Sequence, residues 1–90
     1  MRIDKFLKSS RLVKRRTIAQ EMVEVGAVRL NGRVVKSSAE VRVEDRIEVA
    51  YPRRVICADV LSVDERMLKR GAAAVSVVEE RRVEGEEQPW

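Results

Sequence analysis

The most informative stretch of this chain is RIDKFLKSSRLVKRR, residues 2 to 16. It contains seven Lys or Arg residues and one acidic residue, Asp4, so fifteen residues carry a net charge of +6. If residues 3 to 8 form a helix, Ile3, Phe6 and Leu7 share one face at i, i+3 and i+4 spacing. The cations then lie on the opposite face. We therefore expect one face of this helix to pack in a core and the other to meet an anion.

The following residues predict a second helix. Ser9 and Ser10 favour the end of the first helix, because their side chains compete for backbone hydrogen bonds. The second helix is expected from about residue 14 to residue 25, with Gly26 in the left-handed conformation past its end. Its apolar stripe comprises Ile18, Ala19, Met22 and Val23. Residues 11 to 17, which we call the basic elbow, place cations at its start, where backbone N–H groups also attract anions.

After Gly26 the apolar period changes from 3.6 to 2 residues, which indicates β-strands. Asn31-Gly32 predicts a hairpin turn between strands at 27–30 and 33–35, because both central residues of a type I′ turn need positive φ. Further strands are expected at 41–43, 47–51 and 55–63.

The C-terminal third is less regular. An acidic first turn at 64–65 favours a short helix within residues 64–80, although 75–78 suits a strand equally well. Residues 81–90 are charged, contain Gly and Pro, and are expected to form a disordered tail. The predicted fold class is α+β: two short N-terminal helices packed on a small, mainly antiparallel twisted sheet within residues 1–63, then a short C-terminal helix.

The positive charge is concentrated at the N-terminal end. Residues 1–36 hold ten Lys or Arg and three Asp or Glu, a net charge of +7, whereas residues 37–90 have a net charge of −3. Clustered cations favour a polyanion, because each contact releases counterions. We therefore expect a nucleic acid partner. A membrane surface is the weaker alternative, because the short apolar face of the first helix is expected to belong to the core.

Composition excludes several kinds of chemistry. The chain has no histidine and one cysteine, Cys57, so His-based acid–base catalysis, Cys–His pairs and thiolate or imidazole zinc sites cannot form. Glu44, Asp45 and Glu48 lie beside arginines and are expected to form surface ion pairs. We expect a binding protein that is not an enzyme and that holds no metal or cofactor.

Length, cysteine content and apolar runs indicate the number of domains and the cellular compartment. Ninety residues form one domain. The single cysteine fits a reducing compartment, and no apolar run approaches the roughly 20 residues that cross a bilayer, so we expect a cytoplasmic protein. Since no long apolar surface stripe is visible, we also expect a monomer.

The order of motifs resembles a known RNA-binding module. Four motifs within residues 1–49 are similar to the module first named from ribosomal small-subunit protein S-four: R-I-D-K-F-L, S-R-L-V-K-R-R-T, V-G-A-V-R-L-N-G and V-x-V-E-D-R-I-E-V. The family usually has Gly-Asp where this chain has Glu44-Asp45, a change confined to a turn. Among stand-alone members, the chain resembles the RqcP group of bacterial ribosome quality control.

The resemblance implies partners and site residues. It implies binding to a stalled large ribosomal subunit that still carries peptidyl-tRNA, with contacts to large-subunit rRNA and the tRNA, in support of the partner factor RqcH, which adds alanine tails. The implied RNA-binding residues are Arg2, Asp4, Lys5, Lys8, Arg11, Lys14, Arg15, Arg16, Thr17, Arg29, Asn31, Gly32, Arg33, Lys36 and Ser37. Asp4 would orient a neighbouring cation or accept a hydrogen bond from RNA. Because aromatic residues are nearly absent from this set, base stacking is not expected.

Three alternatives remain. A heat-shock-type ribosome recycling factor shares the large-subunit target but carries a long basic C-terminal extension, whereas residues 79–90 here are acidic. An RNA-binding accessory subunit of an RNA-modifying enzyme would need a catalytic partner. A DNA-binding helix-turn-helix protein would need a recognition helix where a hairpin is predicted.

Overall fold

Two helices, four strands, a helix and a final strand follow one another along the chain. The computed structural model describes residues 1–84 and 89–90. The helices are α1 (Ile3–Ser9), α2 (Arg16–Glu24) and α3 (Glu65–Lys69). The strands are β1 (Val28–Leu30), β2 (Arg33–Val34), β3 (Arg46–Tyr51), β4 (Arg54–Val60) and β5 (Val75–Arg82). They form one sheet in the order β2-β1-β3-β4-β5 with every neighbouring pair antiparallel, which confirms the predicted fold class.

The core lies between the helices and one face of the sheet. Ile3, Phe6 and Leu7 of α1 are fully buried, as their spacing predicted. They join a cluster that includes Ile47 and Val49 of β3. Because strand side chains alternate between faces, the residues between them point to the other face of the sheet. Burying this apolar face of α1 is what holds the helix on the sheet.

The stripe predicted on α2 is only partly buried. Ala19 and Val23 are inaccessible or nearly so, and Met22 is intermediate. Ile18 keeps 44% of its surface exposed. The end of α2 follows the prediction, since Gly26 adopts a φ of 79° there.

The hairpin between β1 and β2 has the predicted turn. Asn31 and Gly32 have φ values of 51° and 81°, as a type I′ turn requires. The Asn31 side chain also fixes the turn to the next strand: its Oδ1 accepts the N–H of Arg46 at 2.8 Å, and its Nδ2 donates to Asp45 at 3.0 Å. The hairpin is thereby held in register against β3.

Residues 41–43 do not form the predicted strand. Val41 is buried and its N–H donates to the carbonyl oxygen of Met1 at 2.8 Å, while Glu40 forms an isolated bridge with Arg2. The Asp45 carboxylate accepts the next N–H, that of residue 42, at 2.8 Å. Because Met1, Arg2 and Asp45 supply the hydrogen-bond partners of this stretch, residues 41–43 do not pair with a strand of the sheet.

The C-terminal third also departs from the prediction. The predicted strand at 55–63 runs from Arg54 to Val60. The C-terminal helix is present but has only five residues, beginning after Asp64, whose carboxylate accepts two N–H groups of its first turn. Residues 75–82 form β5, because they hydrogen-bond along β4. The favoured helix up to residue 80 is therefore wrong there, whereas the alternative of a strand at 75–78 agrees with the structure. Residues 85–88 of the predicted tail lie outside the described residues.

No helix in the described part of the chain is long and apolar enough to cross a membrane.

Asn31→Ala is predicted to lower the free energy of unfolding by about 1–2 kcal/mol. The N–H of Arg46 loses its acceptor, and a positive φ is energetically unfavourable for alanine. Urea denaturation at neutral pH measures this. The control is Lys36→Ala, at an exposed residue whose side chain has no partner among the described residues. A loss no larger than that of the control would contradict the structural role of the Asn31 side chain.

Candidate RNA-binding surface

A buried carboxylate lies at the centre of the candidate surface. The Asp4 side chain is inaccessible to solvent. Its Oδ1 and Oδ2 accept hydrogen bonds from Arg2 at 3.2 and 3.1 Å, and Nη2 of Arg16 lies 3.4 Å from Oδ1. Gln20 donates to Oδ2 at 3.0 Å, and the N–H of Lys5 donates to Oδ1 at 2.7 Å. Asp4 therefore joins α1 to α2 and holds two guanidinium groups.

The sequence spacing explains this arrangement. Arg16 and Gln20 are four residues apart, so both project from the same face of α2. That face meets Asp4 across the contact between α1 and α2. The side chains of Arg2 and Arg16 remain 51% and 44% exposed, so each binds Asp4 and still faces solvent. Of the two roles expected for Asp4, the structure fits orientation of cations, because its carboxylate is not accessible to RNA.

Asp4 is ionised at neutral pH. Burial raises the pKa of Asp4, but the hydrogen bonds from Gln20, the N–H of Lys5 and Arg2, with the charge of Arg16, outweigh that effect. The pKa is therefore held below its ordinary value of 3.8. The buried negative charge and its two arginines form a fixed unit with a net positive charge.

The backbone of the basic elbow is shaped by one left-handed residue and held by two hydrogen bonds to the rest of the fold. Arg11 has a φ of 65°, in the left-handed region, and turns the chain after α1. Val13 is buried, and its N–H donates to the carbonyl oxygen of Leu7 at 3.0 Å. The hydroxyl of Tyr51 donates to the carbonyl oxygen of Leu12 at 2.5 Å. Burial raises the pKa of Tyr51, so this donor stays protonated at neutral pH.

The cations of the elbow project from this backbone into solvent. The side chains of Arg11, Lys14 and Arg15 are exposed and bind no other residue in the described part of the chain. α2 then begins at Arg16, and none of the described side chains caps its N-terminus. Its first N–H groups are therefore available to an anion, and Thr17 lies exposed in the same turn.

α3 adds a part of the surface that sequence analysis missed. Nζ of Lys5 lies 2.9 Å from Oε1 of Glu65, which ties α3 to α1. Glu65 and Lys69, whose Oε1 and Nζ lie 3.7 Å apart, line a cleft together with Lys8 and Arg11. No sequence pattern could reveal this group, because the acidic and basic residues of α3 reach α1 only through the tertiary fold.

The residues of the hairpin and its following link have different surroundings. The carbonyl oxygen of Ser37 accepts the N–H of Asp4 at 3.4 Å, so residues 36–37 lie beside the start of α1. Gly32 and Arg33 are exposed at the hairpin. The Oδ1 and Nδ2 atoms of Asn31 both form hydrogen bonds within the fold, so this side chain shapes the hairpin while it stays exposed.

Arg29 lies apart from the helical cations. It pairs in register with Glu48, on the face of the sheet opposite the helices, and its Nε lies 3.3 Å from that carboxylate. Its guanidinium lies 5.1 Å from the ring centre of Trp90, whose Nε1 donates to the carbonyl oxygen of Gly26 at 3.1 Å. The structure therefore gives Arg29 contacts within the protein and does not bring it together with Arg2 and the elbow.

These elements define one cationic face made of α1, the basic elbow and the start of α2. A family model for the S4 domain matches residues 1–47, which contain this face and the β1–β2 hairpin. The chain belongs to the S4 domain family. This match confirms the resemblance inferred from the motifs. S4 domains bind RNA.

Relatives extend the match beyond the S4 domain. A Streptococcus pneumoniae protein named RQC P-site tRNA stabilizing factor is 38% identical over 85 residues, which cover 93% of this chain and 97% of the relative. A protein of the same name from Halalkalibacterium halodurans is 37% identical over 75 residues, which cover 83% and 85%.

A solved structure has the same fold. It is described as the trimeric structure of Vibrio cholerae Heat Shock Protein 15, and it matches with a TM-score of 0.75 at 23% identity. The match covers 87% of this chain and 81% of that protein. At this identity the likeness supports the fold alone.

Asp4→Asn is predicted to lower the free energy of unfolding by about 2–3 kcal/mol, because two arginines lose a buried ionic partner and the new amide group faces their N–H donors. The matched control is Asp59→Asn, which breaks the exposed pair between Asp59 and Arg46. Exposed pairs contribute little to stability, because solvent screens their charges. Equal losses in the two variants, measured by urea denaturation, would contradict the central role of Asp4.

The contribution of Asp4 should also depend on pH. Because its folded pKa lies below 3.8, its ionised form stabilises the fold fully above the unfolded pKa, and this contribution is lost as pH falls through the folded pKa. The stability difference between the wild type and Asp4→Asn is therefore predicted to shrink as pH falls from about 5 to below the ordinary pKa of 3.8. Denaturation curves across this range would contradict the assignment if the difference stayed constant.

Proposed function

We propose that this chain binds the large ribosomal subunit that still carries peptidyl-tRNA and stabilises that tRNA in ribosome quality control. It contacts large-subunit rRNA and the tRNA through the cationic face of α1, the basic elbow and α2. It acts by binding and without catalysis, as a cytoplasmic monomer. RqcH, which adds alanine tails to the stalled chain, is its partner on the same complex.

The observation that carries the proposal is the fixed pair of arginines around Asp4. The guanidinium groups of Arg2 and Arg16 are held 3.1 and 3.4 Å from one buried carboxylate while their outer edges stay in solvent. Side chains that are already ordered lose less entropy on binding, and guanidinium groups bind phosphate with two parallel hydrogen bonds. Structured RNA presents phosphates at fixed positions, so a rigid cationic face suits it.

The names of the relatives support the choice of RNA. Both relatives are named as factors that stabilise P-site tRNA, and each match covers more than four fifths of both chains. The aligned regions include the sheet as well as the helices, so the proposed role belongs to the whole chain and not to residues 1–47 alone.

Wild-type protein is predicted to co-sediment with purified large subunits carrying peptidyl-tRNA in a sucrose gradient. The double variant Lys14→Ala, Arg15→Ala should bind roughly tenfold more weakly, because two phosphate contacts are lost. Neither side chain has a partner in the part of the chain that the structure describes, so the fold should persist. The control Arg46→Ala removes a cation from the opposite face of the sheet and should co-sediment normally. Wild-type protein that stays at the top of a low-salt gradient would contradict ribosome binding.

The affinity for structured RNA should fall steeply with salt, with a log–log slope of about −4 to −6 for five to seven released counterions. Arg15→Ala should reduce the magnitude of this slope by about 1, since one phosphate contact is lost. Arg46→Ala should leave the slope unchanged. Fluorescence anisotropy at several salt concentrations provides the measurement, and a nearly flat salt dependence would contradict a phosphate-binding face.

A further inference from the structure

An apolar groove of about 820 Å³ lies beside the basic elbow, between α2 and the adjoining ends of β3 and β4. Its walls include Leu12, Ile18, Met22 and Tyr51. Its volume lies within the range of pockets that hold small organic ligands. The groove is therefore large enough to hold one nucleotide.

The charged residues among those described as lining the groove are all basic. Arg11, Lys14 and Arg54 line it, and none of the described residues that line it is acidic. The side chains of Arg11 and Lys14 bind no other described residue, whereas Arg54 forms an ion pair with Glu80 at 2.9 Å. An apolar floor with free cations at one end complements a ligand that combines a flat apolar part with a phosphate.

Two side chains of the groove offer surfaces for stacking. The guanidinium of Arg54 lies 4.9 Å from the ring centre of Tyr51, and the Arg54 side chain is 54% exposed. Unpaired bases stack on aromatic rings and on guanidinium planes. The hydroxyl of Tyr51 donates a hydrogen bond to the carbonyl oxygen of Leu12, which ties this wall of the groove to the elbow.

We propose that this groove takes one unpaired nucleotide of the bound RNA. The base lies against Ile18, Met22 and the Tyr51–Arg54 stack, and the adjoining phosphates bind Arg11 and Lys14. This inference rests on the proposed RNA-binding function and adds a contact with a base to the contacts with phosphates. It also revises the expectation that stacking plays no part, because the fold brings Tyr51 next to an elbow almost forty residues earlier in the chain.

The test uses two RNA hairpins that differ only in one inserted uridine: one is fully paired, and the other carries this uridine as a single unpaired bulge. Their affinities are compared by fluorescence anisotropy at one salt concentration. The wild type is predicted to bind the bulged hairpin about 5- to 100-fold more tightly, the range expected for stacking one base. With 4-thiouridine in the bulge, ultraviolet light should cross-link the RNA to peptides that contain groove residues.

Ile18→Gln tests the groove without changing any charge. Ile18 is exposed enough for this substitution to leave the fold intact, and it should reduce the preference for the bulge to about twofold or less. Val25→Gln is the matched control, since Val25 is 79% exposed just past the end of α2 and does not line the groove. The salt slope should stay the same in both variants, because no cation is removed.

The outcomes separate this inference from the proposed function. Equal binding of both hairpins by the wild type, with a steep salt slope, would overturn the groove assignment and leave phosphate binding in place. That result is expected if the groove instead receives a protein segment. Full preference for the bulge in Ile18→Gln would place the base elsewhere and also overturn the inference. Binding to neither hairpin would overturn it together with the general RNA affinity on which it rests.

Discussion

The buried Asp4 carboxylate is the interaction on which the rest of the surface depends. A buried charge is costly unless it is paired, and here the partners come from both helices, at Arg2, Arg16 and Gln20. The requirement to satisfy this one carboxylate sets how α1 and α2 meet. It also fixes the two cations in a position from which their outer edges face solvent. The same contact therefore stabilises the fold and orders the binding face.

Around Asp4, the sheet, the basic elbow and α3 contribute to the binding surface in different ways. The sheet buries the apolar face of α1 and carries Tyr51, whose hydroxyl holds the backbone of the elbow. The elbow itself presents cations that have no partners among the described residues, so their charge is available to phosphates. α3 adds Lys69 to the cleft beside Lys8. A backbone held by the sheet, with unpaired cations exposed to solvent, suits a structured polyanion.

Local chemistry predicted the parts of the fold that depend on neighbours in sequence. The spacing of Ile3, Phe6 and Leu7 predicted the buried face of α1, and Asn31-Gly32 predicted the hairpin. At β5 the sequence left a helix and a strand equally open, because most of its residues are exposed and several are charged, so its conformation depends on hydrogen bonds to β4. The candidate site, too, is only partly predictable from the sequence. The cluster of cations is visible in the sequence, whereas the burial of Asp4, the docking of α3 and the separation of Arg29 arise only from packing.

The most direct test of the central claim is a cryo-electron microscopy structure of the protein bound to large ribosomal subunits that carry peptidyl-tRNA. The account predicts RNA phosphates within hydrogen-bonding distance of Arg2 and Arg16, with Asp4 still buried behind them and the opposite face of the sheet, at Arg46, turned away from RNA. A complex in which RNA contacts the Arg46 face while Arg2 and Arg16 face solvent would contradict it.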